Sequence, residues 1–422
     1  MTAVATEQPA PALRSELPLF ASWTNLIVAA LIYICTNPGR TQYMGVITEP
    51  ILEEFHLSRS AFGQLNFWAT MIVAVLSFGF GTLLDRLGLY RSAWSMTALT
   101  AAATALTALA DGPWTLFAAV TLARLFGQGV LAVTSTSLLG KSFRPRHAPI
   151  AAAVYLALTA VFYAGVLQWI RVGLVELEWT WRSVWLVIAV GIGCSAMLSM
   201  LFITPPTVLP PDRVAMKASP AGEKTVWEAV RHPLFIVFGL YCLINGTAVK
   251  GMDVFMESLL KDRGFGREMF FDSLMIGVLS LVVFKFLVAW LCRVWSIGKV
   301  LALGMLLSSA VVGSVSLLDT PNNVYVWSLL KSLAWSVYVV VYFSVWAYAF
   351  GRRDLSQIQG AIHVVTITSS ALGPLLLGIC RDRLGSYLPA LHLFAVMIFL
   401  LGIAMLLVKV PHADPDGIAT DT

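Results

Sequence analysis

Gly81-Thr82-Leu83-Leu84-Asp85-Arg86-Leu87-Gly88, with Arg91 close behind, is a short charged turn between two apolar runs, 61–83 and 92–110. A helix needs about 20 apolar residues to cross the hydrocarbon core of a bilayer, and the runs flanking this turn have that length. Outward from it, the same alternation of long apolar run and short polar turn fills the chain. Spans are expected at 20–48, 61–83, 92–110, 114–140, 148–170, 182–204, 233–257, 272–293, 297–318, 323–350, 356–379 and 387–409, twelve in all. Composition agrees: 58% of the 422 residues are hydrophobic and 12% charged, with a mean hydropathy of +0.80. Ordinary soluble domains carry about 45–50% apolar and about 25% charged residues. So little charge cannot cover several water-exposed domains, which excludes a soluble globular protein and predicts an all-α polytopic membrane protein.

Lys and Arg concentrate in every second loop: Arg86 and Arg91; Lys141, Arg144 and Arg146; Arg213, Lys217, Lys224 and Arg231; Arg293 and Lys299; Arg352 and Arg353. The intervening loops hold most of the acids, among them Glu49, Glu53, Glu54, Asp111, Glu176, Glu178, Asp262, Asp272 and Asp319. The positive-inside rule then places both termini in the cytoplasm. Residues 1–19, with Glu7, Glu16 and three prolines, read as a cytoplasmic tail rather than a signal peptide. Residues 20–204 form a first six-helix bundle, the Pro-rich charged stretch 205–232 a cytoplasmic linker, 233–409 a second bundle and 410–422 a second tail.

The two bundles match at a fixed offset of 208 residues: Tyr33 with Tyr241, Asn37 with Asn245, Met44 with Met252, Glu49 with Glu257, Arg59 with Arg267, Asp111 with Asp319, Pro113 with Pro321, Arg144 with Arg352 and Gly165 with Gly373. A register that holds through five helices implies a duplicated unit. Parallel six-helix repeats put a substrate site between the halves near the membrane midplane, which is a transporter architecture.

The turn Gly81 to Gly88 with Arg91 resembles the loop signature after the second helix of the major facilitator superfamily. Arg124-Leu125-Phe126-Gly127-Gln128-Gly129 resembles its fourth-helix signature, and Trp181-Arg182-Ser183-Val184-Trp185 its entry into the sixth helix. The resemblance implies the major facilitator fold, twelve transmembrane helices in two six-helix pseudo-repeats, and a conformational latch formed by Gly81, Asp85, Arg86, Gly88 and Arg91. Thr41 to Val46 with Leu57-Ser58-Arg59-Ser60, Arg124 to Gly129, and Gly373-Pro374-Leu375-Leu376-Leu377-Gly378 with Asp382 to Tyr387 resemble the monocarboxylate and oxalate/formate branch. That branch implies a base in the eighth helix and a lysine in the eleventh; Lys285 supplies the first, but the eleventh has His363, which argues against oxalate itself.

Six charges fall within expected spans: Arg40, Arg124, Lys250, Lys285 and Lys331 against the single acid Asp253. Each costs at least about 2.5–3.5 kcal/mol at a helix centre and by default faces a cavity or a partner. Five cations exceed what one carboxylate neutralises, and an anionic substrate resolves the imbalance. Arg40 follows the helix-breaking run Asn37-Pro38-Gly39, and Asn245-Gly246-Thr247 is expected to interrupt the seventh helix at the matching place. Substrate contacts are therefore expected from Arg40 and Lys285 first, then Arg124, with Asn37, Gln42, Tyr155, Asn245 and His363 adding polar groups. The structural alternatives are a pairing of Arg40 with Glu49, snorkelling of Lys285, bonding of Arg124 to neighbouring helices, a rim position for Lys331, and helix-packing roles for the polar residues. Lys250 and Asp253, three apart on one helix face, are expected to form the salt bridge that couples transport to protons or to a counter-anion.

Trp179, Trp181 and Trp185 read as interface anchors, and the five separated cysteines as small buried hydrophobes. No catalytic motif, metal-ligand spacing, cofactor fingerprint or nucleic-acid-binding basic patch is present. The reading is a carrier for a small organic anion, expected as a monomer in the bacterial inner membrane with no cofactor and no metal. Its rivals are an exporter of amphipathic drugs, disfavoured by the missing Gly-Pro run in the fifth helix, and a non-transporting sensor.

Overall fold

Proline has no N–H to donate and a fixed φ, so a helix entering Asn37-Pro38-Gly39 cannot pass through it unbroken. In the computed structural model, which describes residues 19–77, 86–143, 148–204, 226–351 and 354–411, the first span α1 has two arms, Leu19–Cys35 and Thr41–Glu54, joined by a 3-10 turn at Asn37–Gly39. Then follow α2 (Arg59–Leu76), α3 (Leu89–Ala108), α4 (Pro113–Ala123, continued through a π-helical turn Arg124–Leu131 into Ala132–Ser142), α5 (Ala148–Arg171) and α6 (Trp181–Phe202). A short helix, Val226–Arg231, precedes α7 (Pro233–Lys261), α8 (Arg267–Val294), α9 (Ile297–Gly313), α10 (Pro321–Phe350), α11 (Leu355–Leu384) and α12 (Leu388–Leu407). The described residues contain no strand.

Among the described residues, ten of these helices are long and apolar enough to cross a membrane. The others are α2 and α3. The latter carries Arg91 and four buried threonines, Thr97, Thr100, Thr104 and Thr107, whose hydroxyls each donate to the carbonyl four residues back at 2.6–2.9 Å. The four hydroxyls are thus satisfied inside the helix, which packs on α4 and α6.

Two sequence expectations are corrected. The run Asn245-Gly246-Thr247 does not interrupt α7; the non-helical residue lies further on, at Phe255 (φ −108°, ψ 20°). The physical difference is proline: the second half keeps the Asn and Gly of the break but not the Pro, and both are tolerated inside a helix. Trp181 and Trp185 are buried rather than anchored at an interface, Trp181 donating its indole N–H to Glu54 at 2.6 Å. Only Trp179 is exposed.

The halves meet chiefly along three helix pairs: the second arm of α1 against α7, α2 against α11, and α5 against α8. Glycines set the closeness. A Cβ on Gly63 would lie 2.6 Å from the Pro374 carbonyl oxygen, and one on Gly45 or Gly378 would strike the carbonyl of Asp253 or Arg59. The polar ties between halves cluster at the same end: Arg59 to Ser258, Ser60 N–H to Asp382, Arg267 to the Val46 carbonyl, Arg171 to Asp272 and Lys261 to Glu53. The molecule is closed at the end carrying Glu54 and Arg59. None of these ties reaches the opposite end, which carries the first arm of α1.

Candidate functional site

The break in α1 exposes helix ends at mid-depth, and the chain satisfies them locally. Arg40 N–H donates to Asn37 O at 2.8 Å, and Thr36 Oγ1 donates to Tyr33 O at 2.7 Å. Arg40 caps the second arm from an extended conformation (φ −86°, ψ 142°). Its Nε donates to Thr36 Oγ1 at 2.8 Å and its guanidinium lies over the Tyr33 ring, 4.5 Å from the centroid. The arrangement joins a fixed positive charge to a helix N-terminus, and both favour an anion. Glu49, the alternative partner for Arg40, is taken by Arg59 at 3.1 Å. In the other half, α8 carries Lys285, which is half-buried. Among the described residues no carboxylate forms an ion pair with Arg40 or Lys285.

The second charge centre lies in the C-terminal half. Asp253, its side chain 7% exposed, receives Lys250 on one carboxylate oxygen at 3.2 Å and Lys331 of α10 on the other at 3.1 Å. The expected Lys250–Asp253 bridge is present, and Lys331 joins it instead of standing at the rim. Each ammonium also rests on an indole, Lys250 over Trp335 at 5.1 Å and Lys331 over Trp327 at 5.3 Å. One carboxylate between two ammoniums leaves one positive charge over. Tyr163 of α5 stands edge-on to Tyr43 of the second arm of α1, ring centroids 5.4 Å apart.

The other expected residues divide. Arg124 is 2% exposed; its backbone lies against Gly39, but its side chain donates to Asn66 O at 2.9 Å, to Thr70 Oγ1 and to Asn66 Oδ1, so it binds α4 to α2. Tyr155 is buried, bonded to Ser135 at 2.9 Å and edge-on to Tyr33 at 6.0 Å, one layer behind Arg40. Asn37 and Asn245 are buried, each with one amide atom lacking a hydrogen-bond partner. Gln42 is half-buried. His363 is exposed, and its spacing from Ser370 and Pro374 puts it on the α11 face that meets the other half further along. Of the expected latch, Gly81 and Asp85 lie outside the described residues. Arg86 and Arg91 are exposed, and Gly88 turns the chain at φ +75°, where a side chain would be strained.

Reading the sequence missed Tyr33, Tyr163 and the true place of Lys331. Lys331 was visible as an intramembrane charge, but only the packing of α10 on α7 brings it to Asp253.

Two six-helix bundles joined at one end, each carrying charge within its spans, define a polytopic membrane transporter. The chain belongs to the Major Facilitator Superfamily, whose family model matches residues 29–365. Among solved structures, it is similar to a bacterial homologue of the human lysosomal transporter Spinster in an inward-facing, unoccupied conformation, with 14% identity over 92% of this chain and 96% of that one and a TM-score of 0.68. It is also similar to a mutant of the nucleoside transporter NupG, with 12% identity over 92% of this chain and 99% of that one and a TM-score of 0.70. No curated protein matches.

Proposed function

We propose that the chain is a secondary carrier that moves a small organic anion, a mono- or dicarboxylate, by alternating access. The observation that carries this is two bases within the spans, Arg40 at the break of α1 and Lys285 on α8 of the other half, neither in an ion pair with a carboxylate among the described residues. An anion between them supplies the missing counter-charge and draws the halves together. The Lys250–Asp253–Lys331 cluster serves coupling: a substrate carboxylate competes with Asp253 for one lysine, and the displaced carboxylate takes a proton or yields to a counter-anion. The resemblance of the Thr41–Val46 and Gly373–Gly378 stretches to the monocarboxylate branch supports the same substrate class.

The charge pattern of the loops supports cytoplasmic termini, and the internal repeat supports bundles at 20–204 and 233–409; a bacterial inner membrane is the setting we propose. A monomer suffices, since both charge centres arise within one chain.

The test is a thermal-shift screen of the purified protein against small carboxylates, with sugars and cationic drugs as controls, since a ligand that binds only the folded state raises its melting temperature. Stabilisation by a carboxylate, lost in Arg40→Gln and Lys285→Gln, is the expected result. A shift with neutral or cationic compounds alone would overturn the reading.

A further inference from the structure

The internal repeat pairs Glu49 with Glu257 and Arg59 with Arg267, and the function proposed above uses none of the four. In space, each arginine makes the same two attachments. Arg59, at the start of α2, meets Glu49 of its own half at 3.1 Å and donates across the interface to Ser258 Oγ at 2.9 Å. Arg267, at the start of α8, meets Glu257 of its own half at 3.2 Å and donates across to the Val46 carbonyl at 2.8 Å. The four side chains are mostly withdrawn from solvent, 26% and 25% exposed for the arginines and 10% and 13% for the glutamates. Both crossings stand where the backbones of the halves come closest, beside Gly45 on Asp253 and beside Gly378 on Arg59. Ser258 is itself held by the Tyr387 hydroxyl at 3.0 Å.

We propose that Arg59 and Arg267 are positioning residues of the transport cycle, a repeat-related pair of bolts that hold this face shut, with Glu49 and Glu257 fixing each guanidinium where it reaches the opposite half. A guanidinium presents five donors in a rigid fork, so it can keep its own-half carboxylate and still bond across. The pairing has a mechanical consequence. One cross-half tie leaves the bundles free to rock about it, whereas two repeat-related ties resist that rotation, and both must break, with Ser60–Asp382 and Arg171–Asp272, before the site opens to this side. Each carboxylate stays in the same half as its arginine and keeps the guanidinium in place to re-form its crossing when the face closes.

Hydrogen–deuterium exchange on the full-length protein tests this without knowledge of the substrate. In Arg59→Gln and in Arg267→Gln, exchange in segments 43–60 and 251–267 is expected to rise about tenfold, the factor carried by one hydrogen bond to a charged group. Exchange in segment 355–366, near the opposite end, is expected to fall as the molecule turns. Arg59→Lys and Arg267→Lys, which keep the charge without the fork, fall between. Lys261→Gln is the control, because Lys261 and Glu53 also join the halves but at 3.8 Å, with side chains 68% and 72% exposed; its exchange is expected to match the unaltered protein. Unchanged exchange in both Gln variants overturns the proposal. So does a rise at both ends together, the mark of a merely structural role, or an equal effect in Lys261→Gln.

Discussion

Asp253 is the one acid expected among the intramembrane charges, and its surroundings make its removal costlier than that of either lysine. Truncating one partner of a buried charge cluster leaves the rest uncompensated, at about 3–5 kcal/mol where burial is complete. Asp253→Asn strands two ammoniums, while Lys331→Met leaves Asp253 paired with Lys250. Thermal unfolding in detergent is therefore expected to show a larger drop in melting temperature for Asp253→Asn than for Lys331→Met. A larger drop for the lysine variant would mean that Asp253 is not the hub. At this scale the sequence was half legible. Lys250 and Asp253 share a helix and lie three residues apart, so their pairing follows from helix geometry. Lys331 is 78 residues further on, and no local rule connects it.

Irregular backbone in one helix is matched by irregular backbone in another. The 3-10 turn of α1 packs on the π-helical turn of α4: a Cβ on Gly39 would lie 2.5 Å from the Ala123 carbonyl oxygen, and Gly127 faces the Thr36 backbone at 3.4 Å. Because the opposing atoms are backbone, Gly39→Ala has no side chain to push aside and is expected to cost about 1–3 kcal/mol. Gly140→Ala, where a Cβ meets open space inside a helix, is expected to be neutral or stabilising by about 0.5–1 kcal/mol. Melting temperatures of the two variants check the contrast, and equal effects would remove the idea that the two turns are fitted to each other. Proline announced the α1 turn in the sequence. The π-helical turn carries no residue signal of that kind and is a product of packing. Matching residues at the repeat offset likewise need not share a role: Gly373 lies against Gly251 and Thr247, but Gly165 faces nothing within contact.

For the whole molecule the question is which face is shut, and the close contact of α1 with α7 bears on it. Gly45 lies against the Asp253 carbonyl, so any larger side chain there wedges the halves apart. Gly45→Val is expected to raise deuterium uptake in segment 43–60 and lower it in 355–366. Unchanged uptake at both places would show that the α1–α7 contact does not limit closure. The wedge lies against the Asp253 backbone, so Gly45→Val is expected to disturb the Lys250–Asp253–Lys331 cluster as well.

By itself the sequence determined the membrane, the duplicated six-helix unit, the break in α1, and an excess of buried positive charge. These follow from hydropathy, internal register, the missing proline N–H and simple charge counting, all of which act along the chain. Only the tertiary structure decided where each charge finds its partners: Arg59 takes Glu49 from Arg40, Lys331 comes to Asp253, and Arg124 is hydrogen-bonded to neutral groups of α2 with no counter-charge among the described residues. The physical reason is that an ion pair depends on distance in space, and helices far apart in sequence share an interface whose register no local pattern encodes.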